Sequence, residues 1–237
     1  MRRSMLTVGL CCLLAPIAAA GDESQLEVIG FARNGAYFSF AEHGIEDGSG
    51  RAYANVFVLD NAKGTPVGGA PVMVRADSEE EPRAKVLKDA TGKATRALAR
   101  SNIDISGFEK SAGYTLKPGP ERFEFTLRTL PLKISLHLAS RKQLGRRCKI
   151  LVEGSTYTLT LSDGRRTRRF EYSKARSSLG SPVSACAKDF AMSDVFVQEN
   201  AREKSAAIVV LVRAKVEAHS GPDGRYVPHA AIFRSPQ

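Results

Sequence analysis

Apolar residues recur along this chain mostly with a period of two, the spacing of half-buried β-strands, and only once with the three-and-four spacing of a helix. Leu26 and Val28 alternate with Glu27 and Ile29, Asn34-Gly35 supplies the residues of a two-residue hairpin turn, and Tyr37, Phe38 and Phe40 carry a return strand. Tyr53 to Asp60 places Val56 and Val58 on one face and Phe57 and Leu59 on the other. Apolar on both faces, that stretch predicts a buried central strand. Pro71 to Arg75 predicts a short strand after the turn-rich Gly64 to Gly69.

The one change of period follows Pro82. Val86, Leu87, Ala90, Ala94, Ala97 and Leu98 mark one face of an amphipathic helix over about residues 82–102. Pro82 suits its first turn, and the acidic residues between Asp77 and Glu81 lie at its positive end. Alternation then resumes in Phe123 to Leu127 and Leu132 to Leu138. In Thr156 to Tyr172, Tyr157, Leu159 and Leu161 alternate with threonines up to Asp163-Gly164, a type I′ turn signal. A two-residue turn there opposes Tyr157 with Phe170, Leu159 with Arg168 and Thr158 with Arg169. Val195 to Gln198, Ile208 to Val216 and Tyr226 to Phe233 complete about ten strands. The fold class is therefore all-β or β-dominated, with a helix inserted; sandwich-like and propeller-like arrangements both fit.

The first twenty residues have a different grammar. Arg2 and Arg3 precede an apolar run from Leu6 to Ile17 that ends in Ala18-Ala19-Ala20. A basic flank, a short greasy segment and a small-residue exit form a secretory signal peptide, too short to span a bilayer. Residues 1–20 are thus expected to be removed, leaving 21–237 as a single exported, periplasmic or secreted domain with no later membrane segment. Cys11 and Cys12 leave with the signal. Cys148 and Cys186 remain, an even pair that reads as a disulfide in an oxidising compartment. Its loop closure is worth roughly 3–4 kcal/mol.

Past the signal, 33 Lys+Arg face 25 Asp+Glu, a net charge of +8. Residues 141–176 alone hold eleven basic and three acidic residues, so the excess is concentrated in one segment. A local cationic face captures anionic partners. For an exported chain these are an anionic envelope polymer or an acidic protein rather than nucleic acid. Arg165, Arg166, Arg168 and Arg169, with Arg146, Arg147 and Lys149 near them in sequence, are candidate ligands for phosphates or carboxylates.

A second candidate is the loop Glu42 to Gly50, where Glu46, Asp47 and Ser49 join Glu42 and His43 among glycines. Oxygen ligands on such a loop suit Ca²⁺, although the spacing is not that of an EF-hand and no zinc motif occurs, so no metal or cofactor is assigned. Neither G-x-S-x-G nor S-x-x-K is present, and no catalytic residue is assigned. His137 alternates with apolar strand residues and reads as solvent-facing, while His219 and His229 flank the terminal turn.

Two resemblances bear on the fold. Phe31 to Phe40, and more weakly Gly221 to Tyr226, resemble the blade-opening turns of TolB-type β-propellers. Phe31 to Asp60, with Gly35, Phe38, Phe40, Gly44, Asp47-Gly48-Ser49-Gly50, Tyr53 and Asp60, resembles a family of predicted secreted bacterial proteins catalogued as a domain of unknown function. Ile208 to Val212 and Gly221 to Tyr226 look like its C-terminal end, and His43 stands where that family's pattern has a tyrosine. The resemblance implies export and a β-rich domain, and no activity. Together these readings favour a non-catalytic binding or envelope-associated module. The alternative is an exported hydrolase with its site near Asp47-Gly48-Ser49.

Overall fold

In a computed structural model the chain is described at residues 24–68, 71–103, 112–115, 119–144, 153–172, 187–217 and 222–235. The expected signal peptide and the Cys148–Cys186 pair lie outside these residues, as do Arg146, Arg147, Lys149 and His219.

Among the described residues, three antiparallel sheets and one helix make four layers. Sheet 1 holds β1 (Gln25–Phe31), β2 (Tyr37–Ile45), β3 (Ala52–Asp60) and the two-residue β4 (Thr65–Pro66) in that order, with β5 (Val72–Arg75) also on β3. The helix α1 (Arg83–Arg100) covers one face of sheet 1. After β6 (Ala112–Thr115), sheet 2 is a meander of β7 (Arg122–Thr126), β8 (Lys133–Leu144), β9 (Glu153–Ser162) and β10 (Thr167–Tyr172). The long strands β11 (Ala187–Asn200), β12 (Ser205–Glu217) and β13 (Pro222–Arg234) form sheet 3 with β6 in the order β13-β12-β11-β6.

Parity explains the stacking. On β12, Ile208, Val210 and Val212 face the sheet 2 core of Ile134, Leu136, Leu159 and Leu161, while Val209 and Leu211 face Phe38, Phe40, Phe57 and Leu59 of sheet 1. Alternate side chains of a strand point to opposite faces, so a run apolar throughout requires a layer on each side. Sheet 3 is therefore central. Sheets 1 and 2, whose strands all precede β11 to β13 in sequence, are separated by it, which is a stacked sandwich and not the neighbour-by-neighbour series of propeller blades. The β-dominated class and the inserted helix stand as expected.

Sheet 1 places Ala52, Ala54, Val56 and Val58 against Val86, Ala90, Ala94 and Leu98 of the helix. The small residues on both sides permit close approach. Gly92 faces open space on the solvent side, so it costs helix propensity and nothing in packing.

Two turns depart from expectation. Asn34-Gly35 sits in a four-residue loop closed by the Ala32 N–H to Tyr37 carbonyl bond of 2.9 Å, and only Gly35 is left-handed, at φ 70°. The Asn34 side chain instead accepts the Ala36 N–H at 3.0 Å. Likewise β9 and β10 pair Tyr157 with Tyr172, Leu159 with Phe170, Leu161 with Arg168 and Thr160 with Arg169. That register is two residues from the one a two-residue turn gives. Asp163 Oδ1 accepts the N–H groups of both Arg165 (2.9 Å) and Arg166 (2.6 Å), which draws four residues into the turn. An even shift preserves which face each residue occupies. A bulge between Val28 and Gly30 also interrupts the alternation expected for the first strand.

Candidate functional site

The helix covers one outer side of the stack, and no described element packs on the outer face of sheet 2. Its centre is the hydroxyl row of Thr156, Thr158, Thr160 and Ser162 on β9, whose alternate residues Tyr157, Leu159 and Leu161 enter the core. Pairing with β8 and β10 sets the rows across it. His137, Thr160 and Arg169 form one row; Ala139, Thr158 and Glu171 form the next; Arg141 stands beside Thr156. Strands are about 4.8 Å apart, so His137 and Arg169 flank Thr160 at roughly 10 Å backbone separation.

Short side chains in the middle and long ones around them make a depression. Ala139 and Thr158 floor an open hollow of about 550 Å³, rimmed by His137, Arg141, Arg169 and Glu171. Arg141 and Arg169 are exposed, and neither forms an ion pair among the described residues, whereas Lys133 on the same strand is held by Glu124 at 2.5 Å. Guanidinium forks beside hydroxyl donors suit phosphate, sulfate or carboxylate.

The arginines singled out from the sequence are not placed on one face. Arg169 belongs to this outer face, Arg168 lies on the opposite face across from Leu161, and Arg165 and Arg166 sit in the turn itself; all four are exposed. Arg141, His137 and the threonine row complete the site. A parity count links Arg141 to His137 on one strand, but only the pairing of three strands puts them beside Arg169.

Directly beneath the hollow lies a buried polar pair. Tyr157 Oη and His229 Nε2 are 2.5 Å apart, and Tyr172 stacks on Tyr157 at 5.2 Å between centroids. Burial lowers the His229 pKa to about 3 and pushes the Tyr157 phenol well above its ordinary value, so both are neutral across the physiological range. His229, read from the sequence as flanking the terminal turn, is on the edge strand β13 yet buried between sheets 2 and 3. The hollow and this pair share Tyr157, whose ring separates them.

The loop from Glu42 to Gly50 is dismantled by the same parity. Glu42 is fully buried on the sheet 3 side, where its carboxylate accepts the Tyr226 N–H at 3.2 Å and lies 3.6 Å from Arg225. His43 points the other way, and burial lowers its pKa. Glu46 is committed locally: it accepts the Ser49 hydroxyl at 3.1 Å and pairs with Arg75 at 3.1 Å. Asp47 is half-buried at the loop tip. Among the described residues no group of three or more His, Cys, Asp or Glu side chains is placed to hold a metal ion. Among the described residues the Ser49 hydroxyl donates to Glu46, and no histidine is hydrogen-bonded to it.

A family model described as Predicted secreted protein (DUF2259) matches residues 39–231, from within β2 to within β13, and so takes in the helix and, whole or in part, every described strand but β1. The chain belongs to that family. Membership agrees with the export read from the N-terminal segment, and no described helix is long and apolar enough to cross a membrane. The resemblance noted in the sequence to this secreted family is thereby established; that to TolB-type blades is not. Comparison with curated proteins and with solved structures returns no match.

Proposed function

We propose that this member of the secreted family is a non-catalytic binding module whose outer sheet 2 face holds an anionic polymer of the cell envelope. One observation carries the reading: the sheet face that no described layer covers presents exposed Arg141, Arg169 and His137 around a row of hydroxyls, with a hollow between them. An extended polyanion laid along β9 meets guanidinium groups on both flanks and threonine donors beneath. Glu171 on the rim repels a second negative charge close to Arg169 and so favours spaced charges over a dense anion.

Two soluble polymers, polygalacturonate for carboxylates and polyphosphate for phosphates, serve as probes. Titration of the exported chain should show binding that weakens steeply with salt. The double variant R141S/R169S should lose at least ten-fold in affinity. R165S/R166S, in the turn, should lose much less. Equal losses in the two variants, or none in the first, would remove the sheet 2 face from consideration.

A further inference from the structure

At the opposite end of the stack the helix α1 forms the outermost layer. Its buried side is Val86, Ala90, Ala94 and Leu98, and its solvent side is strongly cationic. Lys88, Lys93, Arg96 and Arg100 are all exposed and none forms an ion pair among the described residues. The helix has one acidic residue, Asp89, which lies 3.4 Å from Lys85; Lys85 is also bound by Glu81. At 100° and 1.5 Å per residue, the four unpaired cations fall within an arc of about 140° and a length of about 18 Å. Arg33, in the β1–β2 turn, shares an open depression with Ala99 and Asn102 and extends the cationic surface past the helix end.

Between these cations lie Gly92, Ala99 and the Lys85–Asp89 pair, and the small Ala84 and Thr95 border them, all exposed. No large apolar side chain stands on this side of the helix. Protein partners draw most of their binding energy from aromatic and other large anchors seated in pockets, and this face offers none. A charged, laterally mobile bilayer surface asks for something simpler, several cations near one plane with nothing bulky holding them off.

From this charge complementarity we infer that the exposed face of helix α1 docks the protein on anionic phospholipid surfaces, leaving the sheet 2 face turned away from the bilayer. Each cation brought to such a surface multiplies partitioning about five-fold. The inference does not rest on the binding role given to sheet 2, because the two faces share no residue.

The test is co-sedimentation of the exported chain with vesicles of phosphatidylcholine alone and of phosphatidylcholine mixed with phosphatidylglycerol. Partitioning is expected only onto the mixed vesicles, falling with salt. K93S/R96S should lower it about thirty-fold, while R141S/R169S leaves it unchanged. Circular dichroism verifies that the helix variant remains folded. Equal partitioning onto both vesicles, an unaffected helix variant, or loss confined to R141S/R169S overturns the inference. Binding of polygalacturonate that depends on Lys93 and Arg96 without any vesicle binding also overturns it, and points instead to an acidic macromolecule.

Discussion

The central sheet meets its two neighbours in different ways. Towards sheet 2 it offers Met192, Val195, Val197, Ile208, Val210, Val212 and Phe233, a broad aliphatic surface with Tyr157–His229 as its polar contact. Towards sheet 1 it packs a phenylalanine cluster, with Phe40 and Phe57 stacked at 4.6 Å, and then finishes in charge. There the Arg225 guanidinium lies 4.4 Å over the Tyr53 ring and donates to its hydroxyl, while Glu42 receives the backbone of Tyr226. Aliphatic surfaces stabilise without dictating alignment, since a slip of two residues buries much the same area. Directional bonds to one backbone N–H and one guanidinium admit a single alignment. The sheet 1 interface also closes an exposed edge: Glu42 occupies an outward N–H of β13, Ser24 donates to the Gly224 carbonyl, and Pro228 has no N–H to offer.

The largest effect expected from breaking this contrast is at Glu42. Glu42→Ala removes a fully buried carboxylate that accepts the Tyr226 N–H and faces Arg225, and should cost about 3–5 kcal/mol in urea unfolding. A cost under 1 kcal/mol would show that the charged end does not align the sheets. At the other interface, acid should act through His229. Its folded pKa of about 3 lies below the ordinary 6.5, so below pH 6.5 the unfolded chain binds the additional proton. Stability from this group is complete above pH 6.5 and falls by up to about 1.4 kcal/mol per pH unit towards pH 3. Comparing urea midpoints of the wild type and His229→Leu across that window isolates the slope, and parallel curves would refute it.

Smaller changes sharpen the same contrast. Gly64 has φ 69°, and a Cβ there would lie 3.1 Å from the Ala230 carbonyl and 3.2 Å from the Phe170 ring. Gly64→Ala should therefore cost about 1–2 kcal/mol, measurable as a lower melting temperature. At the open face, R141S/R169S should change unfolding free energy by no more than about 0.5 kcal/mol, since neither side chain is buried or paired. A large loss there would mean those arginines hold structure rather than wait for a ligand.

Much of this was legible beforehand for a physical reason. Periods of two and of three-and-four record which side chains enter a core, so the strands, the helix at Arg83–Arg100 and the central position of Tyr53 to Asp60 followed from local pattern. Turn residues were less informative. Asp163 and Asn34 can satisfy backbone groups in more than one way, and in both hairpins their side chains lengthened the turn.

Site residues were legible only by strand. The run of threonines on β9 and the parity of His137 could be read directly, but four adjacent arginines suggested one face where the pleat makes two.

By itself, then, the sequence determined export, the β-dominated class, the helix at Arg83–Arg100 and the inward and outward sides of most strands, because each of these depends on neighbours a few residues apart. The stacking order was decided only in three dimensions. Which sheet lies between the others depends on matching whole surfaces across more than a hundred residues of chain, and that match alone buries Glu42 and His229, separates the arginines and leaves the sheet 2 face and the helix face as opposite ends of the molecule.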